Sequence, residues 1–321
     1  MFRHMHEETD ISKLIKENVR IHCWIMVGIN DTRAFLVNQT WVHHCNKHIF
    51  ITASPKSGLP TVDLNLTEGR NELWAKTKAA FKWIYDNELN NYDWFLKADA
   101  DSFIILENLR FMLLAYSRDD PVYFGCKFRP YTKQGYMSGG SGYALSREAL
   151  RKFVEEALPD PKKCRQDGKG PEDLEMGRCL ENVGIIAGDS RDSTGKHRML
   201  PFGPKTHFQA GPNNASWLPY WFLKYLYYPY KQGEECCSDY TISFHYIWQG
   251  AMLMLYDLVY HVRAFALTDD IAFKLRQNAG GGKPLFEAAK DLAVSLSVPF
   301  ESMVAEAQHL ISNSSITYGP N

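Results

Sequence analysis

Over its first 125 residues the chain alternates short apolar, β-rich runs with stretches of helical spacing, and that alternation leaves few folds open. Arg20-Ile21-His22-Cys23-Trp24-Ile25-Met26-Val27 ends at Gly28 and reads as a buried first strand. Thr32 to His44 has helical spacing, with Phe35, Leu36 and Trp41 on one broad apolar side. Ile49-Phe50-Ile51-Thr52 is a second strand, and Gly69 opens a long helix from Arg70 to Glu88 carrying Leu73, Lys76, Ala80, Phe81 and Ile84. Trp94 to Ala98 is a third strand, Ile104 to Tyr116 a helix, and Val122 to Cys126 a fourth strand. Strands separated by helices pair as parallel neighbours through crossovers. The pattern predicts an α/β domain on a mostly parallel, doubly wound, Rossmann-like sheet flanked by helices.

Such sheets bind ligands beyond the carboxyl ends of their strands. The third strand runs directly into Asp99-Ala100-Asp101, which falls at that edge. Two carboxylates one small residue apart can hold a hard divalent cation through oxygen and leave positions for phosphate oxygens. The chemistry suggested is group transfer from a metal-bound nucleotide diphosphate. The same spacing also occurs in solvated surface turns.

The second half is less regular. Ser138-Gly139-Gly140-Ser141-Gly142 is a tight glycine turn before a helix from Ser146 to Leu158, whose Ser146 and Glu148 suit an N-terminus. A further helix spans Glu172 to Asn182, an aromatic-rich segment runs from Trp217 to Tyr230, and Ser243-Phe244-His245-Tyr246 is a strand-like apolar run. The reading divides the chain into an N-terminal segment, 1–19, with a short amphipathic helix from Asp10 to Val19, a catalytic domain, 20–268, and a separate tail, 269–321. The tail has a linker at Gly280-Gly281-Gly282 and an amphipathic helix around Leu285 to Leu296.

Hydrophobic residues make up 45% of the chain, enough for a sizeable core, and 36 basic against 37 acidic residues leave a net charge of -1. That balance argues against electrostatic capture of nucleic acid or an anionic membrane surface. None of the seven cysteines forms a Cys-x-x-Cys zinc pair. Cys236 and Cys237 are adjacent, while Cys23 and Cys45, and Cys164 and Cys179, bracket short segments. In an oxidising compartment six can pair, with Cys126 the candidate free thiol. Sequons begin at Asn30, Asn38, Asn65, Asn214 and Asn313. Both features lean toward the secretory pathway, the alternative being a cytosolic protein with reduced thiols. The apolar stretch Ala251 to Val262 carries Asp257 and His261 and is too short to span a bilayer, and no entry signal is visible.

Asp99-Ala100-Asp101, the glycine turn 138–142, Pro171-Glu172-Asp173-Leu174-Glu175-Met176-Gly177-Arg178-Cys179 and Ser243-Phe244-His245-Tyr246 occur in an order that resembles the core 1 β1,3-galactosyltransferases of glycosyltransferase family 31. Supporting stretches are Cys23-Trp24-Ile25-Met26, Glu68-Gly69-Arg70, Lys133-Gln134-Gly135-Tyr136-Met137, Gly188-Asp189-Ser190-Arg191-Asp192 and Cys236-Cys237-Ser238-Asp239. The resemblance covers about residues 18 to 265. It implies a GT-A-type fold with an irregular acceptor-binding second half, Mn²⁺, a UDP-galactose donor, and inverting transfer to the 3-hydroxyl of O-linked GalNAc on glycoproteins. It also implies a membrane-anchored type II protein of the Golgi lumen, with a homodimer suggested by the family.

Carried onto this chain, the resemblance implies Asp99, Asp101 and His245 as metal ligands and Asp173 as general base, with Glu172 and Glu175 as backups. Asp173 at a helix start would be kept ionised by the helix dipole. Met26, Glu68, Gly69, Arg70, Lys76 and Tyr246 are the expected donor-binding residues beside Asp99 and His245. Glu172, Gly139, Gly140, Trp221 and Tyr225 are the expected acceptor side, with Tyr227 and Tyr228 extending an aromatic strip suited to stacking on a sugar. Without the family, His245 reads first as a core histidine sharing a strand with Phe244, Glu172 and Asp173 read as first-turn helix residues, and the aromatic strip reads equally as core or interface. The family carries three consecutive aspartates where this chain has Ala100 in the middle, so the ligand pair survives. Three rivals are a dehalogenase-type phosphatase, whose motif sits on the first strand rather than the third, a chaperone-like relative that lacks the aspartate pair, and a β1,3-transferase with another acceptor, such as a glycolipid or a different O-glycan.

Overall fold

The computed structural model describes residues 10–54, 57–209, 218–262 and 284–314. The sequon at Asn214, the start of the aromatic segment at Trp217 and the linker glycines 280–282 lie outside these residues.

Eleven strands are present among the described residues: β1 (Ile21–Met26), β2 (Lys47–Ile51), β3 (Thr61–Val62), β4 (Trp94–Asp99), β5 (Phe103–Ile104), β6 (Val122–Gly125), β7 (Lys127–Phe128), β8 (Tyr136–Met137), β9 (Tyr143–Ser146), β10 (Ile186–Ala187) and β11 (Ser243–Phe244). Seven of them form one sheet in the order β10-β6-β9-β4-β1-β2-β3. β1 pairs in parallel with β2 and β4, β2 with β3, and β6 with β10. The expected mostly parallel α/β sheet flanked by helices is therefore the one observed. Both faces of β1 and β4 are covered, which is why they read as continuous apolar runs rather than alternating ones.

The sheet departs from the parallel pattern at β9, which runs antiparallel between β4 and β6. The sequence reading passes from the glycine turn straight to a helix and misses this strand. β9 is four residues long, buried throughout and followed at once by the helix Arg147–Lys152, so it shows no alternation of its own. Its last residue, Ser146, caps that helix as expected, accepting the Ala149 N–H at 3.0 Å. The expected helix from Thr32 to His44 is broken into an α-helix, Arg33–Asn38, and a 3₁₀ turn, Trp41–His44. Between them the Thr40 hydroxyl donates back to the Leu36 carbonyl at 2.7 Å, competing with helical continuation.

Large apolar clusters fill both faces of the sheet, one around Trp41, Phe50, Leu109 and Phe124, the other around Trp24, Trp74, Phe81 and Phe153. The stretch expected to stand apart as a tail does not stand apart. Its helices Leu285–Ser295 and Phe300–Asn313 bury Ala289, Ala293, Met303 and Ala307 in the first of these clusters. Disulfides join Cys23 to Cys45, Cys164 to Cys179 and Cys236 to Cys237, and Cys126 is the buried free thiol. Among the described residues no helix is long and apolar enough to cross a membrane.

Candidate active site

The carboxyl end of β4 opens into a cleft of about 910 Å³. Strand pairing assembles one half of it. β5, which follows the aspartates, pairs antiparallel with β11, setting Phe244 opposite Phe103, and His245 follows directly on Phe244. The Ile247 N–H donates to the Asp101 carbonyl at 2.9 Å, which closes the corner. His245 Nε2 thus lies 3.2 Å from Asp101 Oδ1 and 3.8 Å from Asp99 Oδ2. One ligand atom from each of the three residues lies within 4.8 Å of the others. Two carboxylates and an imidazole converging this closely, with open space beside them, suit a divalent cation that keeps positions for phosphate and water.

The glycine turn forms the partition. A Cβ on Gly140 would fall 2.1 Å from the His245 ring, and one on Gly139 would fall 2.7 Å from Glu172 Oε2. Gly140 requires glycine for space, since three ring atoms of His245 lie within 2.7 Å of that position, whereas at Gly139 the Glu172 carboxylate would have to shift. Adjacent residues of one turn thereby touch the metal-type cluster on one side and the Glu172–Asp173 helix start on the other.

Asp173 lines the cleft, accepting N–H bonds from Gly139 at 3.1 Å and from Leu174 at 2.9 Å. The helix dipole was expected to hold it ionised. Instead burial dominates and raises its pKa, against the pull of the two N–H donors and of Lys97. Glu172 is tied up by the Tyr143 hydroxyl and by Thr77, and burial raises its pKa too. Glu175 is buried on the helix's other side, paired with Arg178 at 3.2 Å and Arg165 at 3.6 Å, out of the cleft.

Among the expected donor-side residues, Met26, Arg70 and Tyr246 line the cleft. Met26 is registered beside Asp99 across the β1–β4 ladder. Tyr246 has φ 55°, an unusual conformation for a bulky residue, and its exposed ring lies tilted at 33° to His245 with centroids 3.9 Å apart. Glu68, Gly69 and Lys76 are not among the lining residues. Lys76 is buried, its ammonium held 2.6 Å from Glu68 and 2.8 Å from the Val27 carbonyl, so this pair braces the end of β1 instead. On the acceptor side, Gly139, Gly140, Glu172, Trp221 and Tyr225 line the cleft. Tyr227 and Tyr228 do not: their rings cover Lys127 and Arg191, so that part of the strip is packing.

Two cleft residues escaped the sequence reading. Arg33 is gripped at two points by Asp31 and donates to Asp101 Oδ2 at 2.8 Å. Lys97, buried in the middle of β4, donates to Asp99 Oδ1 at 2.6 Å. For Lys97 the signal was available: a lone ammonium inside an otherwise apolar strand.

Residues 28–197 match the Fringe-like family. The chain is 41% identical over 263 residues to glycoprotein-N-acetylgalactosamine 3-beta-galactosyltransferase 1 of Xenopus laevis, covering 81% of this chain and 72% of that protein. It is 27% identical over 171 residues to the beta-1,3-glucosyltransferase of Mus musculus, covering 50% of this chain and 34% of the mouse protein. Among solved structures, mannose-1-phosphate geranyltransferase from Thermus thermophilus overlays with a TM-score of 0.31 at 10% identity, over 44% of this chain and 62% of that one.

Proposed function

The chain belongs to the Fringe-like family, glycosyltransferase family 31, and from that premise we propose that it is an inverting β1,3-galactosyltransferase acting on O-linked GalNAc of glycoproteins. The observation that carries the reading is that the Asp99/Asp101/His245 cluster and Asp173 share one cleft, separated by a single glycine turn. Asp173 takes the proton from the 3-hydroxyl of GalNAc as that oxygen attacks C1 of galactose. The bond from C1 to UDP breaks on the opposite face, so the anomeric configuration inverts and the proton ends on Asp173. Asp99, Asp101 and His245 would hold Mn²⁺, which when bound neutralises charge on the departing diphosphate. Arg33 and Arg70 supply positive charge to the donor side, and Met26 and Tyr246 offer apolar and aromatic surface to the uridine. Trp221 and Tyr225, 5.6 Å apart between ring centroids, offer a stacking surface to the acceptor sugar.

The three disulfides suit an oxidising compartment, in keeping with a Golgi lumenal, membrane-anchored protein. A homodimer belongs to the same proposal, and the exposed apolar side chains Leu253, Met254 and Leu258 on the helix Gln249–Tyr260 offer it a surface. Sedimentation of the purified protein tests it.

The decisive experiment is transfer of radiolabelled galactose from UDP-galactose to a GalNAc-α-Ser/Thr peptide, with Mn²⁺ and with EDTA. A β1,3-linked product formed only with the metal is expected. Binding of UDP with Mn²⁺ but no transfer would point to a different acceptor. Neither binding nor transfer would point to a chaperone-like relative.

A further inference from the structure

Lys97 sits at the fourth position of β4, with Leu96 and Ala98 beside it, and is only 2% exposed. A buried ammonium is tolerated only where partners meet it. Here its Nζ donates to Asp99 Oδ1 at 2.6 Å and to the Gly139 carbonyl at 3.1 Å, and lies 3.8 Å from Glu172 Oε2. The same Gly139 residue donates its N–H to Asp173 Oδ2 at 3.1 Å. One unbroken chain of contacts therefore runs from Asp99 through Lys97 and Gly139 to Asp173. It has a geometric consequence at each end. With Oδ1 of Asp99 engaged by Lys97, the oxygen left facing His245 is Oδ2. At the other end Lys97 and the Gly142 N–H, each at 3.1 Å, share the Gly139 carbonyl, and this restrains the residue whose N–H, across one Cα, meets Asp173.

We propose that Lys97 is a positioning residue that sets Asp99 and Asp173 relative to one another, so that the metal side and the base side of the cleft are held by one buried cation. The inference rests on the roles given above to Asp99 and Asp173. Lys97 lies at the wall of the cleft with its ammonium committed to Asp99 and the Gly139 carbonyl, so it acts through the two carboxylates.

K97M alone would strand Asp99 and Glu172 without their cation, so the informative variant is K97M/E172Q, which removes one positive and one negative charge and leaves the buried group's net charge unchanged. Mn²⁺ binding is titrated by electron paramagnetic resonance in the presence of UDP, on wild type, E172Q and K97M/E172Q, each checked for a native circular dichroism spectrum. The expected result is a roughly tenfold or greater loss of Mn²⁺ affinity in K97M/E172Q relative to E172Q, the size typical of outer-shell partners of a metal ligand. In the transfer assay the same comparison should lower kcat while leaving the acceptor KM nearly unchanged. Mn²⁺ affinity within about twofold of E172Q in a folded double variant, well short of that outer-shell loss, would overturn the proposal. Wild type that binds Mn²⁺ without transferring galactose would sink the functional reading, while the metal comparison would still judge Lys97. Wild type that binds no Mn²⁺ would sink both.

Discussion

At Asp173 two effects oppose each other: N–H donors from Gly139 and Leu174 favour the carboxylate, while burial favours the acid, and burial is the larger. A base with a raised pKa loses its function on acidification sooner than an ordinary aspartate. The acid limb of kcat/KM should therefore fall above the usual value of about 3.9. D173N should lower transfer by roughly 10²- to 10⁴-fold while UDP binding with Mn²⁺ stays nearly intact. Loss of UDP binding as well would make Asp173 a structural support. G140A tests the other side of the partition. Its methyl would enter the His245 ring position, so Mn²⁺ affinity should fall roughly tenfold or more, while a change confined to acceptor KM would refute the arrangement. At this scale the spacing of Asp99 and Asp101 at a strand end was legible from residues alone. His245 and Asp173 were legible only through the family resemblance, because their partners lie far away in sequence. The Lys76–Glu68 pair, 2.6 Å apart, was not legible either, because spacing along a helix does not say which carboxylate closes on an ammonium.

Elements were legible where burial leaves a helical period or an apolar run long enough to stand out. The long helix Leu73–Glu88 and strands β1 and β4 announced themselves, whereas β9 and β10, two to four residues long and buried, carry too few positions to set a pattern. The helix Gln249–Tyr260 shows how an element is pinned by contacts no period reveals. Its Tyr260 stacks on His44 with ring centroids 4.0 Å apart. The Tyr260 hydroxyl and His44 Nδ1 both donate to Glu107, at 2.7 Å and 2.6 Å. Burial alone would raise the Glu107 pKa, but these two donors overcome it and hold it at about 2. Its folded-state value lies below the unfolded one, so the stabilisation is fully present above about pH 4.3 and is lost as pH falls from there toward 2. E107Q should accordingly cost about 2 kcal/mol at neutral pH, the worth of hydrogen bonds to a charged acceptor. Urea denaturation at neutral pH and at about pH 3, between the folded and unfolded values, measures it. A cost of the same size at both pH values would show that packing, not the ionised carboxylate, anchors this helix.

The amphipathic stripe of Leu285–Ser295 was readable, but a stripe states that one face is buried without stating against what. The composition break at Gly280-Gly281-Gly282 made detachment the natural reading. Instead the Leu296 carbonyl accepts from Ser193 N–H and from the guanidinium of Arg198, itself 1% exposed, and the Tyr116 hydroxyl donates to the Val298 carbonyl at 2.9 Å. Met303 and Ala307 then seal the core beyond β10. None of these residues lines the cleft. The two C-terminal helices should therefore belong to the stability of the domain and not to its chemistry, and M303A separates the two. Removing a side chain that is 3% exposed leaves a cavity costing about 2–5 kcal/mol, which in a domain of this size lowers the melting temperature by roughly 4–20 °C. Mn²⁺ affinity measured well below the transition should stay at the wild-type value, because Met303 lies in the core and not in the cleft that holds Asp99, Asp101 and His245. A melting curve that splits into two transitions, with the upper one unmoved, would mean that the C-terminal helices unfold by themselves and that the core closes without them.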